Sequence, residues 1–208
     1  MGPDQNVEQY SMSAWQALLN SSLAGWASPA LNAAVWAAYY NDSTINPQRG
    51  YDDFNTDYGL TCANAQIAVT AKAGNYVSPI YLYFNNWPPA SPIVVSSTYN
   101  ITWAYHTWDY NAALESWSGV QPQASDAALS RMLQDLWYDF MADGALDPAT
   151  GWRSVEDVPG FPTSYGTFVM ATPTRPPYTN SSFVVDYKTD TCTMLYSHGF
   201  DARFWWCD

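Results

Sequence analysis

Residues 80–109 read IYLYFNNWPPASPIVVSSTYNITWAYHTWD and hold the two segments that decide the fold class. The first segment, Ile80–Phe84, is β-branched and aromatic and is followed by the Trp87–Pro89 breaker, so it is the best strand candidate in the chain. The second segment, Asn100–Tyr105, predicts a short strand with His106 directly after it. Because α/β folds place reactive groups on loops that leave the carboxyl ends of strands, His106 is a candidate catalytic residue.

Helical patterns lie on both sides of these strands. The strongest is Ser125–Gly144, where apolar residues recur at steps of three and four, with Ser125 as a plausible N-cap and Gly144 as the stop. Three shorter helices are predicted, over residues 13–23, 29–40 and 57–72. Two turn-rich stretches are predicted as loops, over residues 41–50 and 147–162. Thr167–Ala171 and Ser182–Tyr187 predict a closing antiparallel pair of strands, and the mixture predicts an α/β fold.

The composition limits the class of protein and of partner. A chain of 208 residues that is 48% hydrophobic can bury a core, and its length predicts one domain. With 7 Lys and Arg against 19 Asp and Glu, the net charge of −12 argues against a nucleic acid partner and against an anionic membrane surface. No apolar run is long enough to span a bilayer, so no membrane span is expected.

The cysteines and the glycosylation sequons favour a secreted protein or the lumen of the secretory pathway. Four sequons place candidate glycosylation sites at Asn20, Asn41, Asn100 and Asn180. The three cysteines, Cys62, Cys192 and Cys207, are widely spaced and form no C-x-x-C pair, which excludes the usual zinc and thioredoxin patterns. One disulfide with one odd thiol is the natural secretory arrangement, and no metal or cofactor is expected.

The candidate base has no recognisable nucleophile beside it. No G-x-S-x-G elbow, P-loop or dinucleotide glycine motif occurs in the chain. A lone histidine is more often structural than catalytic, and that interpretation of His106 stays open. A paired-carboxylate hydrolase also stays open, since four aspartates lie near the relevant segments: Asp52, Asp53, Asp57 and Asp109. The tryptophans near His106, at positions 87, 103 and 108, either pack against the core or line a pocket.

An ordered series of weak motifs resembles the C-terminal third of type B carboxylesterases and cholinesterases, over about residues 10–196. The family's S/T-D-x-x-x-x-C pattern corresponds to Thr56–Cys62, and its aromatic strand corresponds to residues 80–84. Its histidine loop, H-G-x-E/D, corresponds to His106-Thr-Trp-Asp109. The two remaining matches are its W-x-x-F-A-x-x-G helix end at Trp137–Gly144, and its final strand and cysteine at Asp186–Cys192.

The resemblance implies the C-terminal part of an α/β-hydrolase fold, a single partial domain over residues 1–208 with an extra tail over 197–208. His106 would be the catalytic general base, and Asp109 the acidic neighbour that supports its loop. Cys62 and Cys192 would form the family's disulfide and leave Cys207 as the odd thiol, with a Cys192–Cys207 pair as the alternative. Thr107 departs from the family, because it replaces the glycine after the histidine.

Two functions follow from the resemblance. In the first, the chain is the C-terminal segment of a secreted serine carboxylesterase-like protein and is inactive alone. Its partner would be the N-terminal portion of the same fold or another subunit, which brings the nucleophile to an ester substrate. In the second, the chain is a non-catalytic cholinesterase-like subunit that serves the assembly of an extracellular or lumenal complex. A false resemblance would leave an unrelated secreted, aromatic-rich binding domain.

Overall fold

The computed structural model describes residues 11–22, 29–40, 47–96, 99–105, 107–117, 121–171 and 181–200. It combines helices with small sheets, in agreement with the general α/β class. The backbone contacts divide the chain into two compact units. The first comprises residues 1–67 and 188–208, and the second comprises residues 68–187. No helix within the described ranges is long and apolar enough to cross a membrane.

Helices build the described part of the first unit. They are α1 (Met12–Ser22), α2 (Pro29–Tyr40), α3 (Pro47–Thr56), a π-helix (Asp57–Thr61), the start of α4 (Cys62–Ala73) and, at the other end of the chain, α7 (Thr189–Ser197); the labels α5 and α6 belong to the second unit. Pro29 and Pro47 each stand at a first helical position, where the missing backbone N–H costs nothing.

An aromatic core holds these helices together. Trp15 is completely buried, and its ring centroid lies 3.6 Å from that of Tyr40 on α2. Phe54 on α3 packs edge-on against Tyr39, with 5.5 Å between the ring centroids. The buried members of the core are Trp15, Leu31, Val35, Tyr39, Tyr40, Tyr51, Phe54, Cys62, Cys192, Leu195 and Phe200. Burial of this aromatic and aliphatic surface stabilises the unit.

The second unit contains all five described strands. Its elements are β1 (Tyr83–Asn85), β2 (Ile93–Ser96), β3 (Tyr99–Ile101), α5 (Trp108–Ala113), α6 (Ala124–Asp143), a 3-10 turn (Pro148–Thr150), β4 (Gly166–Met170) and β5 (Ser182–Val185). A three-stranded sheet has the order β1–β4–β5, with β1 parallel and β5 antiparallel to β4. Strands β2 and β3 form a separate antiparallel pair. The antiparallel pairing predicted near the end of the chain is therefore confirmed.

The core of the second unit joins buried residues of α5, α6 and β4 with Trp87, Leu146 and Trp152. Four apolar residues on one side of α6 are buried: Leu129, Met132, Leu133 and Leu136. Trp152 stacks on Phe168 of β4, with ring centroids 5.2 Å apart, and its indole N–H donates to the Leu82 carbonyl oxygen at 3.1 Å. Tryptophan is favoured at such positions because its ring is apolar while its single donor finds a partner.

The two ends of α6 agree to different degrees with the prediction from the sequence. Gly144 ends the helix in a left-handed conformation with φ 70, as predicted. The N-cap is Gln123 and not Ser125, because the Asp126 carboxylate accepts a hydrogen bond from the Gln123 backbone N–H in a capping box. Ser125 instead accepts a hydrogen bond from the indole N–H of Trp87 at 3.0 Å.

Three other predictions were wrong in part. The first strand covers only Tyr83–Asn85. The backbone carbonyl oxygen of Ile80 instead accepts hydrogen bonds from the Val155 N–H and the Ser154 hydroxyl. Residues 47–50 of a predicted loop form the first turn of α3, and the rest of that loop lies outside the described residues. Strand β2 lies in a segment for which no strand was predicted.

The tail also differs from the family's pattern. The resemblance implies a strand that leads into Cys192, but Cys192 lies inside helix α7. The helix places Cys192 and Leu195, three residues apart, on the same buried side.

Candidate functional site

The candidate site is the turn that leads into α5. His106 lies outside the described residues, whereas the residues on both sides of it are described. The Trp108 N–H donates to the Tyr105 carbonyl oxygen at 3.0 Å and closes the turn. Thr107 has φ 69 and ψ 6, which places its backbone in the left-handed region. This left-handed conformation favours glycine and is strained for a β-branched residue.

Asp109 is anchored to the sheet. The Tyr83 hydroxyl on β1 donates a hydrogen bond of 2.5 Å to the Asp109 Oδ2 atom in the first turn of α5. Burial raises the pKa of Tyr83 above its usual range, and the hydrogen bond to Asp109 and the carboxylate charge raise it further, so the phenol stays a donor. Asp109 therefore fixes the start of α5 against β1.

The tryptophans around this turn pack inside the unit. Trp108 is 1% exposed, and its ring contacts those of Tyr105 and Trp117 at centroid distances of 5.6 and 5.7 Å. Its indole N–H is buried and has no hydrogen-bond partner among the described residues. Trp87 is also fully buried. Core packing thus accounts for Trp87 and Trp108.

The strand before His106 is not the one predicted from the sequence. The predicted strand Asn100–Tyr105 is replaced by β3, which ends at Ile101 and pairs only with β2 in the described structure. The strand that precedes His106 in the chain therefore belongs to the β2–β3 pair and not to the three-stranded sheet. The sheet strand β1 ends at Asn85, well before the turn.

The cysteines of the first unit are joined as the resemblance implies. Cys62 and Cys192 form a disulfide across 130 residues of sequence, and both are buried. Cys207, and the part of the predicted tail beyond residue 200, lie outside the described residues.

Two of the four candidate glycosylation sites are described. Asn20 and Asn100 are both exposed, and the Asn20 side-chain oxygen accepts a hydrogen bond from the Asn32 amide at 2.7 Å. Asn41 and Asn180 lie outside the described residues.

A buried charged cluster in the first unit was missed by the sequence reasoning. Asp57 is 1% exposed, and its Oδ2 atom accepts hydrogen bonds from the Lys188 ammonium at 2.9 Å and from the Tyr39 hydroxyl at 2.8 Å. Burial and then the Asp57 charge raise the pKa of Tyr39 well above its usual range. Asp57 belongs to the S/T-D-x-x-x-x-C pattern and to the four aspartates considered for a paired-carboxylate hydrolase, but neither signal indicated a pair with Lys188. The cluster ties the start of the π-helix to the segment before α7.

No protein-family model matches the chain. No curated protein matches it either. The likeness to carboxylesterases and cholinesterases therefore rests on the residues of the chain alone. Within the described ranges, no group of three or more His, Cys, Asp or Glu side chains could hold a metal ion.

Replacement of Thr107 by glycine is expected to raise the free energy of unfolding by about 0.5–1 kcal/mol. Relief of the left-handed strain contributes about 1–2 kcal/mol, and the greater entropy of glycine in the unfolded chain offsets part of it. Urea unfolding followed by tryptophan fluorescence measures the change.

The matched control is Asn75→Gly. Asn75 has φ 68 and is also left-handed, but asparagine tolerates this region, so we expect a smaller gain than at Thr107. A loss of stability in Thr107→Gly would show that the threonine side chain contributes more than its backbone strain costs.

Proposed function

We propose that this chain is the histidine-bearing part of a secreted carboxylic-ester hydrolase of the carboxylesterase and cholinesterase type. His106 acts as the general base of a triad whose serine is carried by another segment or chain. It takes the proton from the serine hydroxyl as that oxygen attacks the ester carbonyl, and it returns the proton to the leaving alcohol. The chain alone lacks the nucleophile and is inactive.

The conformation of Thr107 carries this proposal. In the motif H-G-x-E/D the residue after the histidine is glycine, and glycine is the residue that adopts a left-handed backbone without strain. Thr107 takes that conformation, with φ 69, although threonine disfavours it. The backbone at this position therefore has the conformation that the family's glycine suits.

Two contacts support the proposal. The hydrogen bond between Tyr83 and Asp109 connects the fourth residue of the motif to β1, which suits a supporting acid. Strand β1 is an edge of the described three-stranded sheet and pairs with β4 in parallel. Parallel pairs are typical of larger sheets with both faces covered, so an additional strand at β1 suits a partner that completes the fold.

The disulfide supports the proposed location. Disulfides persist in oxidising compartments, and the buried Cys62–Cys192 bond suits a secreted or lumenal protein. Glycosylation of the exposed Asn20 and Asn100 would fit the same compartment.

A non-catalytic assembly subunit is the second candidate function. The observation that favours it is Thr107 itself, because a β-branched residue in place of glycine adds bulk beside the proposed base. In that function the turn is retained only as part of the packing of α5.

The test is labelling of the native assembly, purified with its partner chains, by a fluorophosphonate probe that reacts with activated serines. We expect one labelled serine on a co-purifying chain, and we expect His106→Ala to remove the labelling because the serine then has no base. His198→Ala is the matched control, since His198 is the only other histidine and follows α7. It should leave the labelling unchanged.

Each alternative outcome has a clear meaning. An assembly without a labelled serine would contradict the hydrolase and favour the assembly subunit. Labelling that survives His106→Ala would show that the base comes from elsewhere. Equal losses in both histidine variants would indicate a general defect in folding, which circular dichroism detects.

A further inference from the structure

The β2–β3 pair has one half-buried face and one exposed face. Directly opposite residues of an antiparallel pair share a face, and successive residues along a strand alternate between the faces. Ile93 lies opposite Ile101, and both are half-buried. Val94 lies opposite Asn100 on the other face, where Val94 is 71% exposed and Asn100 is also exposed. A β-branched apolar side chain therefore lies in solvent directly beside the asparagine of a glycosylation sequon.

The two described sequons differ in how they present their side chains. Asn100 lies in β3 and Thr102 follows the end of the strand, and both are exposed. In an extended chain, residues two apart point to the same side, so a transferase can reach both. Asn20 lies on helix α1, where residues two apart do not face the same side, and its side-chain oxygen is bound by the Asn32 amide at 2.7 Å. Of these two asparagines, Asn100 is therefore the better acceptor.

We propose that Asn100 carries an N-linked glycan whose first N-acetylglucosamine covers Val94 and stabilises the β2–β3 pair. This inference rests on the secreted or lumenal location proposed above, because the sugar donor is found in that compartment. In the transfer, the Nδ2 atom of Asn100 bonds to C1 of the sugar. The bond between C1 and the pyrophosphate oxygen of a lipid-linked oligosaccharide donor breaks, and Nδ2 loses one proton.

The contact between the sugar and Val94 follows from the strand register. The Cβ atoms of directly opposite residues lie about 4.5–5.5 Å apart, so a sugar on the short asparagine side chain reaches Val94. One face of the sugar ring consists of C–H groups, and burial of apolar surface between this face and Val94 is favourable. In the described structure β2 and β3 pair only with each other, and a two-stranded pair is marginally stable in water. A small additional contact therefore lowers the fraction of time that the pair is open.

The test uses the full chain, secreted from eukaryotic cells behind a cleavable leader peptide. Peptide mass spectrometry should find N-acetylhexosamine on Asn100, and Thr102→Ala should remove it by destroying the sequon. Amide hydrogen exchange in β2 and β3 should become about three- to fivefold faster in Thr102→Ala, because the contact with the sugar is lost. Thr102→Ser is the matched control, since it keeps the sequon and should keep both the glycan and the slow exchange. An unmodified Asn100 in the secreted chain would overturn the proposed modification.

A second variant tests the contact with Val94. In Val94→Ser the glycan stays, but its removal by Thr102→Ala should now change the exchange rates by less than about 1.5-fold, because the apolar partner is absent. Val77→Ser is the matched control, since Val77 is 91% exposed and follows the end of α4. In this control, removal of the glycan should have its full effect. An equal effect of the glycan with and without Val94 would overturn the contact.

Native material separates this proposal from the location and the function on which it rests. A chain that is glycosylated at Asn100 only behind the added leader would contradict the secreted location, whereas the acceptor site and its contact with Val94 would be supported. Labelling of an activated serine tests the hydrolase independently, because neither Asn100 nor Val94 has a part in that reaction.

Discussion

Replacement of both Cys62 and Cys192 by alanine is expected to lower the free energy of unfolding by about 5 kcal/mol. The two cysteines are separated by 130 residues, and a disulfide that closes so long a loop removes much of the entropy of the unfolded chain. Both residues are also buried in the aromatic core of the first unit, beside Leu195. Because globular proteins are stable by only about 5–15 kcal/mol, this loss would leave little or no folded protein at 37 °C.

Urea unfolding of the purified chain measures this effect, with and without a reducing agent. Cys207→Ala is the control and should leave the unfolding curve unchanged, since the disulfide joins the other two cysteines. A non-reducing peptide map should recover Cys62 and Cys192 in one linked fragment. A linked Cys192–Cys207 fragment, or a stability loss in Cys207→Ala that matches the double variant, would contradict the pairing.

The long helices were predictable because their apolar periodicity extends over several turns. On α6 four core residues recur at steps of three and four, and helix α2 begins at Pro29 as predicted. The strands were harder, because their limits depend on contacts far along the chain. Ile80 lies outside the first strand, because its backbone is hydrogen-bonded to Ser154 and Val155, which follow it by more than seventy residues. The local sequence pattern around a strand carries no information on partners so far along the chain.

Helix α7 illustrates the limit of reasoning from resemblance. The family's tail implied a strand ending at Cys192, yet the residues 189–197 are helical. A helix places Cys192 and Leu195 on one side, against the core that also holds Cys62. Tertiary packing, together with the disulfide, outweighs the weak local preference of Thr189 and Thr191 for strands.

Part of the candidate site was predictable from the sequence, and its contacts with distant residues were not. The sequence singled out Asp109 as a supporting residue and Thr107 as a departure from the family, and both lie in the turn at the start of α5. It gave no sign that Tyr83 would bind Asp109, since these residues are 26 positions apart. It also gave no sign of the pair of Asp57 and Lys188, whose partners are separated by 131 positions.

Replacement of Lys188 by methionine is expected to lower the free energy of unfolding by about 2–4 kcal/mol. Asp57 is 1% exposed, so loss of its cation leaves a buried carboxylate whose one remaining partner among the described residues is the Tyr39 hydroxyl on Oδ2, and its Oδ1 atom has no partner there. Breaking a fully buried pair costs about 3–5 kcal/mol. The expected loss is smaller here, because the Lys188 side chain keeps 27% of its exposure and solvent screens part of the attraction.

Two further variants isolate the charge as the cause. In Lys188→Met/Asp57→Asn both charges are absent, so urea unfolding should show a smaller loss than in Lys188→Met alone. Arg49→Met breaks the ion pair with Asp53, in which the two side chains are 37% and 35% exposed. This variant should lower the free energy of unfolding by less than about 1 kcal/mol. A double variant at least as unstable as Lys188→Met alone would show that the unpaired buried charge is not the cause of the loss.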